Sequence, residues 1–123
     1  MKIIWIDDDE WRCQPIIESL KLYGNSVSYF SDYEVGYNSI KDKLDSYDVI
    51  ILDVMMAPGN MLKEKKNLNG GQTGLFLYDL LRKESTRIPI LIYTVLRNSS
   101  LLDKFLKSDT NASWLNKPAS TEK

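Results

Sequence analysis

Five short apolar runs alternate along the chain with segments of helical periodicity, and this alternation is what most restricts the fold. The predicted strands cover residues 3–6, 26–30, 48–55, 89–96 and 112–115. The predicted helices cover residues 11–23, 34–46, 73–85 and 100–108. Strands that alternate with helices form βαβ units with right-handed crossovers and a parallel sheet. The sequence therefore predicts an α/β domain.

Two of these segments carry the clearest patterns. Residues 48–55 are the most continuously apolar run, which is typical of a central strand buried on both faces. The first helix takes its apolar periodicity from residues spaced three to five apart, namely Trp11, Ile16, Leu20 and Tyr23. The third helix is expected to turn apolar residues inward in the same way.

Length and composition restrict the class of protein. The 123 residues suffice for one domain, 1–123, with a single core. A net charge of −1 gives no general attraction to nucleic acid or to anionic lipid. No apolar run approaches the roughly 20 residues that span a bilayer, and the N-terminal apolar stretch is too short for a signal peptide. A cytoplasmic location is expected.

The cysteine and histidine counts exclude several chemistries. Cys13 is the only cysteine, so an intrachain disulfide is impossible, and we expect it to pack as a small apolar residue. The chain contains no histidine. This excludes a Ser-His or Cys-His catalytic pair and a zinc site that needs imidazole.

Polar groups lie at the ends of four of the predicted strands. Asp7 and Asp8 follow the first strand, Asp53 and Thr94 lie near the ends of the third and fourth, and Lys117 comes just after the fifth. The carboxyl ends of parallel strands share one edge, where ligands bind in open α/β sheets. The sequence therefore predicts that these five side chains converge.

Carboxylates placed this close together repel one another and raise each other's pKa unless a cation intervenes. Magnesium is the natural cation, because it takes one or two carboxylates and keeps water ligands that a phosphate can displace. Each group alone has an ordinary interpretation: Asp7 and Asp8 as helix-capping residues, Thr94 as a strand residue and Lys117 as a surface lysine. Asp53, at the end of a doubly buried strand, is harder to explain without a function.

The order Asp7-Asp8, Asp53, Thr94 and Lys117-Pro118, with the segment YDVIILDVMM around Asp53, resembles the receiver domain of two-component response regulators. The resemblance covers residues 1–118. It implies a flavodoxin-like doubly wound sheet of five parallel strands in the order 2-1-3-4-5. It also implies a signalling module that catalyses only its own phosphorylation and dephosphorylation.

The resemblance further implies a role for each site residue. Asp53 would accept a phosphoryl group from a phosphohistidine on a histidine kinase or a histidine phosphotransfer protein. Mg²⁺ would be held by Asp7, Asp8, Asp53 and the backbone carbonyl of Met55.

Other positions would respond to the phosphoryl group or support the site. Thr94 and Lys117 would bind phosphoryl oxygens, and Thr94 would move with Trp114 as the switch. The Lys117-Pro118 peptide bond would be cis, as such bonds are largely confined to proline.

Three features depart from the resemblance. Val95 follows Thr94, where the family usually has alanine or glycine. A long loop of about residues 57–72 follows Asp53, and the sequence ends before a fifth helix could form. We expect the missing helix to expose apolar surface. Either the chain is cut from a longer protein with a C-terminal output segment, or a partner such as a second copy covers this face.

Two alternatives remain open from the sequence. A degenerate receiver would act only as an interaction module. A phosphatase similar to the haloacid dehalogenases would use Asp7 and Asp9 as nucleophile and acid, with Thr94 and Lys117 as later motifs. The second alternative leaves Asp53 without a role.

Overall fold

The computed structural model describes residues 1–53, 73–85, 87–94, 102–104 and 106–117. The elements follow the predicted alternation: β1 (Lys2–Ile6), α1 (Glu10–Leu22), β2 (Ser26–Phe30), α2 (Tyr33–Ile40), β3 (Val49–Leu52), α3 (Thr73–Glu84), β4 (Ile90–Thr94) and β5 (Ala112–Asn116). A short 3₁₀ helix, Leu44–Ser46, lies between α2 and β3. Residues 102–104 are helical, within the range predicted for the fourth helix.

The five strands form one sheet in the order β2-β1-β3-β4-β5, and every neighbouring pair is parallel. The predicted flavodoxin-like strand order is therefore confirmed. In the register of the sheet, Ile6 lies beside both Phe30 and Leu52, while Thr94 lies beside Asn116. The carboxyl ends of the strands consequently meet at one edge.

The two faces of the sheet carry separate apolar clusters. One face packs against α2 and α3, and its buried strand residues are Ile4, Ile6, Ile50, Leu52, Ile90 and Ile92. The opposite face packs against α1 through Trp5, Cys13 and Ile17. Successive side chains of a strand point to opposite faces, so strands of branched residues can supply both clusters. Leu115 of β5, on an outer strand, remains 55% exposed.

The buried side of α1 differs from the one that its large apolar residues suggest. Trp11 is 88% exposed and Tyr23 85% exposed, whereas Cys13 and Ile17 are buried. Cys13 and Ile17 are four residues apart and so lie above one another on one side of the helix. The small cysteine lets the helix lie close to Trp5, and Cys13 packs in the core as expected.

The second helix is shorter than predicted. It ends at Ile40, and the following 3₁₀ helix buries Leu44, where the sequence predicted one continuous helix over 34–46. Both segments therefore supply apolar side chains to the same cluster.

Several expectations fall on parts of the chain outside the described residues. These are the Met55 carbonyl, the long loop 57–72, the Lys117-Pro118 peptide bond and the missing fifth helix. Among the helices that the structure describes, none has the length and apolar character to cross a bilayer.

Candidate functional site

Three carboxylates gather at the carboxyl edge of the sheet. Asp7 and Asp8 follow β1, and Asp53 follows β3. One oxygen from each lies within 4.8 Å of the others. Asp7 and Asp53 are buried and Asp8 is exposed, so the group opens to solvent on the side of Asp8. An all-oxygen donor set with an open side suits a hard divalent cation that keeps some of its water.

Lys117 joins the two buried carboxylates. Its Nζ lies 2.8 Å from Oδ2 of Asp7 and 3.3 Å from Oδ2 of Asp53, and the residue is itself only 4% exposed. The ammonium also lies 5.8 Å from the centre of the Tyr93 ring, within cation–π range. Lys117 directly follows β5, so this outer strand delivers a cation to the centre of the edge.

Thr94 is the last residue of β4 and is fully buried. Its carbonyl accepts a 2.7 Å hydrogen bond from the backbone N–H of Lys117. Thr94 and Lys117 are thus held together through their backbones. All five residues that the sequence singled out lie at this edge of the sheet.

The charges of the site do not balance. Two buried carboxylates face one ammonium, which leaves one excess negative charge when all three are ionised. Burial raises the pKa of Asp7, and the negative charge of Asp53 raises it further, although Lys117 acts in the opposite direction. Burial lowers the pKa of Lys117, but the Asp7 and Asp53 carboxylates outweigh burial and leave that pKa raised. Lys117 is therefore a fixed cation at neutral pH, and a second cation would relieve the excess.

Backbone hydrogen bonds fix the two buried aspartates in the sheet. The N–H of Asp53 donates to the Ile6 carbonyl over 3.0 Å, and the N–H of Asp7 donates to the Phe30 carbonyl over 3.1 Å. The N–H of Asp9 donates to Oδ1 of Asp7 over 2.9 Å and so turns this carboxylate inward.

Two tyrosines that the sequence did not single out contact the same aspartates. The hydroxyl of Tyr29 donates to the Asp7 carbonyl, and the hydroxyl of Tyr33 donates to the Asp53 carbonyl over 3.1 Å. Tyr29 belongs to β2 and Tyr33 begins α2. Nothing in the sequence separates these tyrosines from the other five, because it does not show which hydroxyls reach a backbone carbonyl of a neighbouring element.

Cys13 lies beside the site but is not built as a nucleophile. Burial raises the pKa of its thiol, and the nearby Asp7 carboxylate raises it further. A thiol of this kind stays protonated and unreactive at neutral pH.

Trp114 is half-buried on β5 and packs against the cluster beneath α2 and α3. Its indole N–H donates a 2.9 Å hydrogen bond to Oδ1 of Asp103. The sequence indicated that a buried indole would need an acceptor, and the helical segment 102–104 provides one.

No family model matches this sequence, and no curated protein matches it either. Solved structures do match, over nearly the whole chain. A two-component response regulator from Clostridium difficile has 24% identical residues and a TM-score of 0.73, over 99% of this chain and 87% of that chain. The receiver domain of Francisella response regulator 1452 has 26% identical residues and a TM-score of 0.67, over 97% of this chain and 85% of that chain.

A further similar structure is a BeF3-activated DrrB receiver domain, with 18% identical residues and a TM-score of 0.68, over 97% of this chain and 86% of that chain. The fold of this chain is the fold of response-regulator receiver domains. The resemblance drawn from the sequence is confirmed at this level.

Proposed function

We propose that this chain is a phosphorylation-dependent signalling switch of a two-component system, in which Asp53 accepts the phosphoryl group. The observation that carries the proposal is the bridge from Lys117 to both Asp7 and Asp53, with Asp8 alongside. Phosphoryl transfer is catalysed mainly by positioning and charge neutralisation. A buried carboxylate with an ammonium at 3.3 Å and a cation site beside it offers both.

In the proposed reaction, a carboxylate oxygen of Asp53 attacks the phosphorus of a phosphohistidine on a histidine kinase or a histidine phosphotransfer protein. The phosphorus–nitrogen bond breaks, its electron pair returns to the imidazole, and the imidazole takes a proton from water. The product is an acyl phosphate on Asp53. Lys117 and the Thr94 hydroxyl would then contact phosphoryl oxygens.

We propose Mg²⁺ as the cofactor, held by Asp7, Asp8, Asp53 and the backbone carbonyl of Met55. The carboxylate cluster fits this ion because its donors are all oxygens and their charge exceeds that of Lys117. When bound, the ion supplies positive charge to the oxygens of the incoming phosphoryl group.

Thr94 and Trp114 form the proposed switch. A phosphoryl group changes the local charge by about −1.5 to −2, which is enough to draw the Thr94 hydroxyl toward it and to bias a two-state element. Trp114 lies two residues along β5 from Asn116, the neighbour of Thr94, and would respond to this movement. The readout would be a changed surface for a second copy of the chain or for an output segment.

The test is phosphorylation with acetyl phosphate and Mg²⁺, followed by intact mass. We expect a gain of one phosphoryl group that the Asp53→Asn substitution abolishes and that Asp45→Asn, an exposed control, leaves unchanged. A wild-type protein that takes up no phosphate would instead favour a degenerate receiver acting only through interactions. Turnover of many substrates, lost on substitution of Asp7, would favour the phosphatase alternative.

A further inference from the structure

The hydroxyl of Tyr33 donates a hydrogen bond of 3.1 Å to the backbone carbonyl oxygen of Asp53. Tyr33 is 0% exposed, so this bond is sheltered from water. We infer that Tyr33 is a positioning residue that fixes the main chain of the phosphoacceptor. The inference rests on the proposed function and assigns a further residue to the same site.

The hydroxyl is presented from a firmly anchored helix end. Asp32 caps α2, and its side chain accepts a 2.9 Å hydrogen bond from the backbone N–H of Val35. Tyr33 is the first residue of this helix, and its ring belongs to the apolar cluster beneath α2 and α3. The ring therefore has little freedom to swing away from Asp53.

Gly36 lets this helix lie close to the sheet. A Cβ at Gly36 would lie 3.1 Å from Cδ1 of Ile6 and 3.2 Å from Cβ of Phe30, which is closer than ordinary van der Waals contact. The absence of a side chain brings the first turn of α2 onto β1 and β2. This close approach places the Tyr33 hydroxyl within hydrogen-bonding distance of the Asp53 carbonyl at the edge of the sheet.

Both peptide groups of Asp53 are then fixed. Its N–H donates to the Ile6 carbonyl on one side, and its own carbonyl is held by Tyr33 on the other. Because the peptide planes on either side of a Cα set the direction of its side chain, the two bonds together aim the Asp53 carboxylate. A nucleophile must lie in line with the bond that breaks, and a misplacement of about 1 Å can cost about a hundredfold in rate.

The test compares Tyr33→Phe with Tyr37→Phe. Both variants keep the aromatic ring and lose one hydroxyl of α2, but the Tyr37 hydroxyl donates to Glu84, away from the site. The rate of Asp53 phosphorylation is measured as a function of acetyl phosphate concentration at saturating Mg²⁺. The temperature is one at which urea unfolding curves show that every variant is folded when no urea is present. We expect Tyr33→Phe to lower the maximal rate about tenfold with little change in half-saturation. Tyr37→Phe should match the wild type.

A structural readout accompanies the rates. Loss of the hydrogen bond should shift the carbonyl ¹³C resonance of Asp53 in Tyr33→Phe and leave it in place in Tyr37→Phe. If Tyr33→Phe does not fold, 3-fluorotyrosine incorporated at position 33 retains ring and hydroxyl but strengthens the donor, and it should shift the same resonance and the rate.

The outcomes separate the two claims. If the wild type accepts phosphate and Tyr33→Phe reacts at the wild-type rate, the positioning role is wrong and the proposed function stands. If the wild type accepts no phosphate on Asp53, both are wrong. A loss of rate that appears equally in Tyr37→Phe would assign the effect to α2 stability and overturn the inference.

Discussion

The indole of Trp114 is tied to the carboxylate of Asp103 by a hydrogen bond of 2.9 Å, which links β5 to the helical segment 102–104. Trp114 is the proposed switch aromatic, and this bond holds it in the position that the structure shows. A ligand shifts a two-state element by its differential affinity for the two states. Because the proposed switch requires Trp114 to move, breaking the bond should favour the phosphorylated arrangement.

We expect Asp103→Ala to tighten the binding of beryllofluoride, a phosphoryl mimic, about fivefold. This factor corresponds to about 1 kcal/mol, the usual net value of one hydrogen bond. Isothermal titration calorimetry in the presence of Mg²⁺ measures the affinity. Asp103→Asn retains an acceptor oxygen and should bind beryllofluoride like the wild type. Equal affinity in all three proteins would show that the hydrogen bond between Trp114 and Asp103 does not oppose the switch.

Lys117 should be essential to the stability of the metal-free protein. Replacing it with methionine leaves Asp7 and Asp53 buried together with no cation, and removal of one partner of a buried pair costs about 3 kcal/mol or more. We expect a large fall in Tm that millimolar MgCl₂ partly restores, because the metal supplies the missing charge. Lys107→Met, at an exposed lysine, should change neither value. A variant as stable as the wild type would show that the carboxylates are not both charged.

The buried charge of Asp7 should destabilise the metal-free fold, although the same charge helps to bind the metal. Burial and the Asp53 charge raise the pKa of Asp7, so the folded state prefers its protonated form and the ionised form is destabilising at neutral pH. We expect Asp7→Asn to raise the free energy of unfolding by about 1 kcal/mol at pH 7 without magnesium. The variant should also lose stabilisation by Mg²⁺.

The pH dependence of this difference has a defined sign. As the pH falls through the raised pKa, wild-type Asp7 takes up a proton and its penalty disappears, so the two proteins should converge. Urea unfolding between pH 7 and pH 4 measures this. Asp8→Asn is the matched control, because Asp8 is exposed and should affect metal binding alone. If the difference in unfolding free energy between the wild type and Asp7→Asn grew as the pH fell, the raised pKa of Asp7 would be wrong.

Asp109 should stabilise the fold by pairing with α3. The Nε of Arg82 lies 2.7 Å from Oδ2 of Asp109, the Tyr78 hydroxyl donates to the same oxygen, and the Asn111 N–H donates to Oδ1 over 2.9 Å. Burial alone would raise the pKa of Asp109, but these hydrogen bonds outweigh burial and lower the pKa from its ordinary value. A lowered carboxyl pKa stabilises the fold at pH values above the ordinary pKa and stops doing so as the pH falls through the folded value.

Asp109→Asn should therefore cost about 2 kcal/mol at pH 6, the usual value for hydrogen bonds to a charged group. The cost should shrink below about pH 4, as the wild-type carboxylate becomes protonated. Thermal unfolding across this range measures it, with the exposed Asp42→Asn as the control. A cost that is constant with pH would show that the shape of the side chain matters and not its charge.

The parallel sheet and the edge that gathers the polar residues could be predicted from where apolar runs start and stop, whereas the strand order came from the resemblance to receiver domains. The contacts of α1 could not, because Cys13 is small and Trp11 is large, and size alone favoured the wrong side of the helix. Tyr29 and Tyr33 were missed because their hydroxyls reach from β2 and α2 to the backbone carbonyls of Asp7 and Asp53, and the strand order alone does not show which side chains make such contacts. The roles of the site residues remain predictions.

β5 is an outer strand of the sheet, and β4 is its hydrogen-bonded neighbour there. Lys117 connects β5 to the interior of the sheet. Its backbone N–H donates to the Thr94 carbonyl, and its ammonium pairs with the aspartates that follow β1 and β3. A group at the site that attracts the Lys117 ammonium would therefore change how strongly β5 is bound to the rest of the sheet. Chemistry on one aspartate would reach the outermost strand through a single side chain.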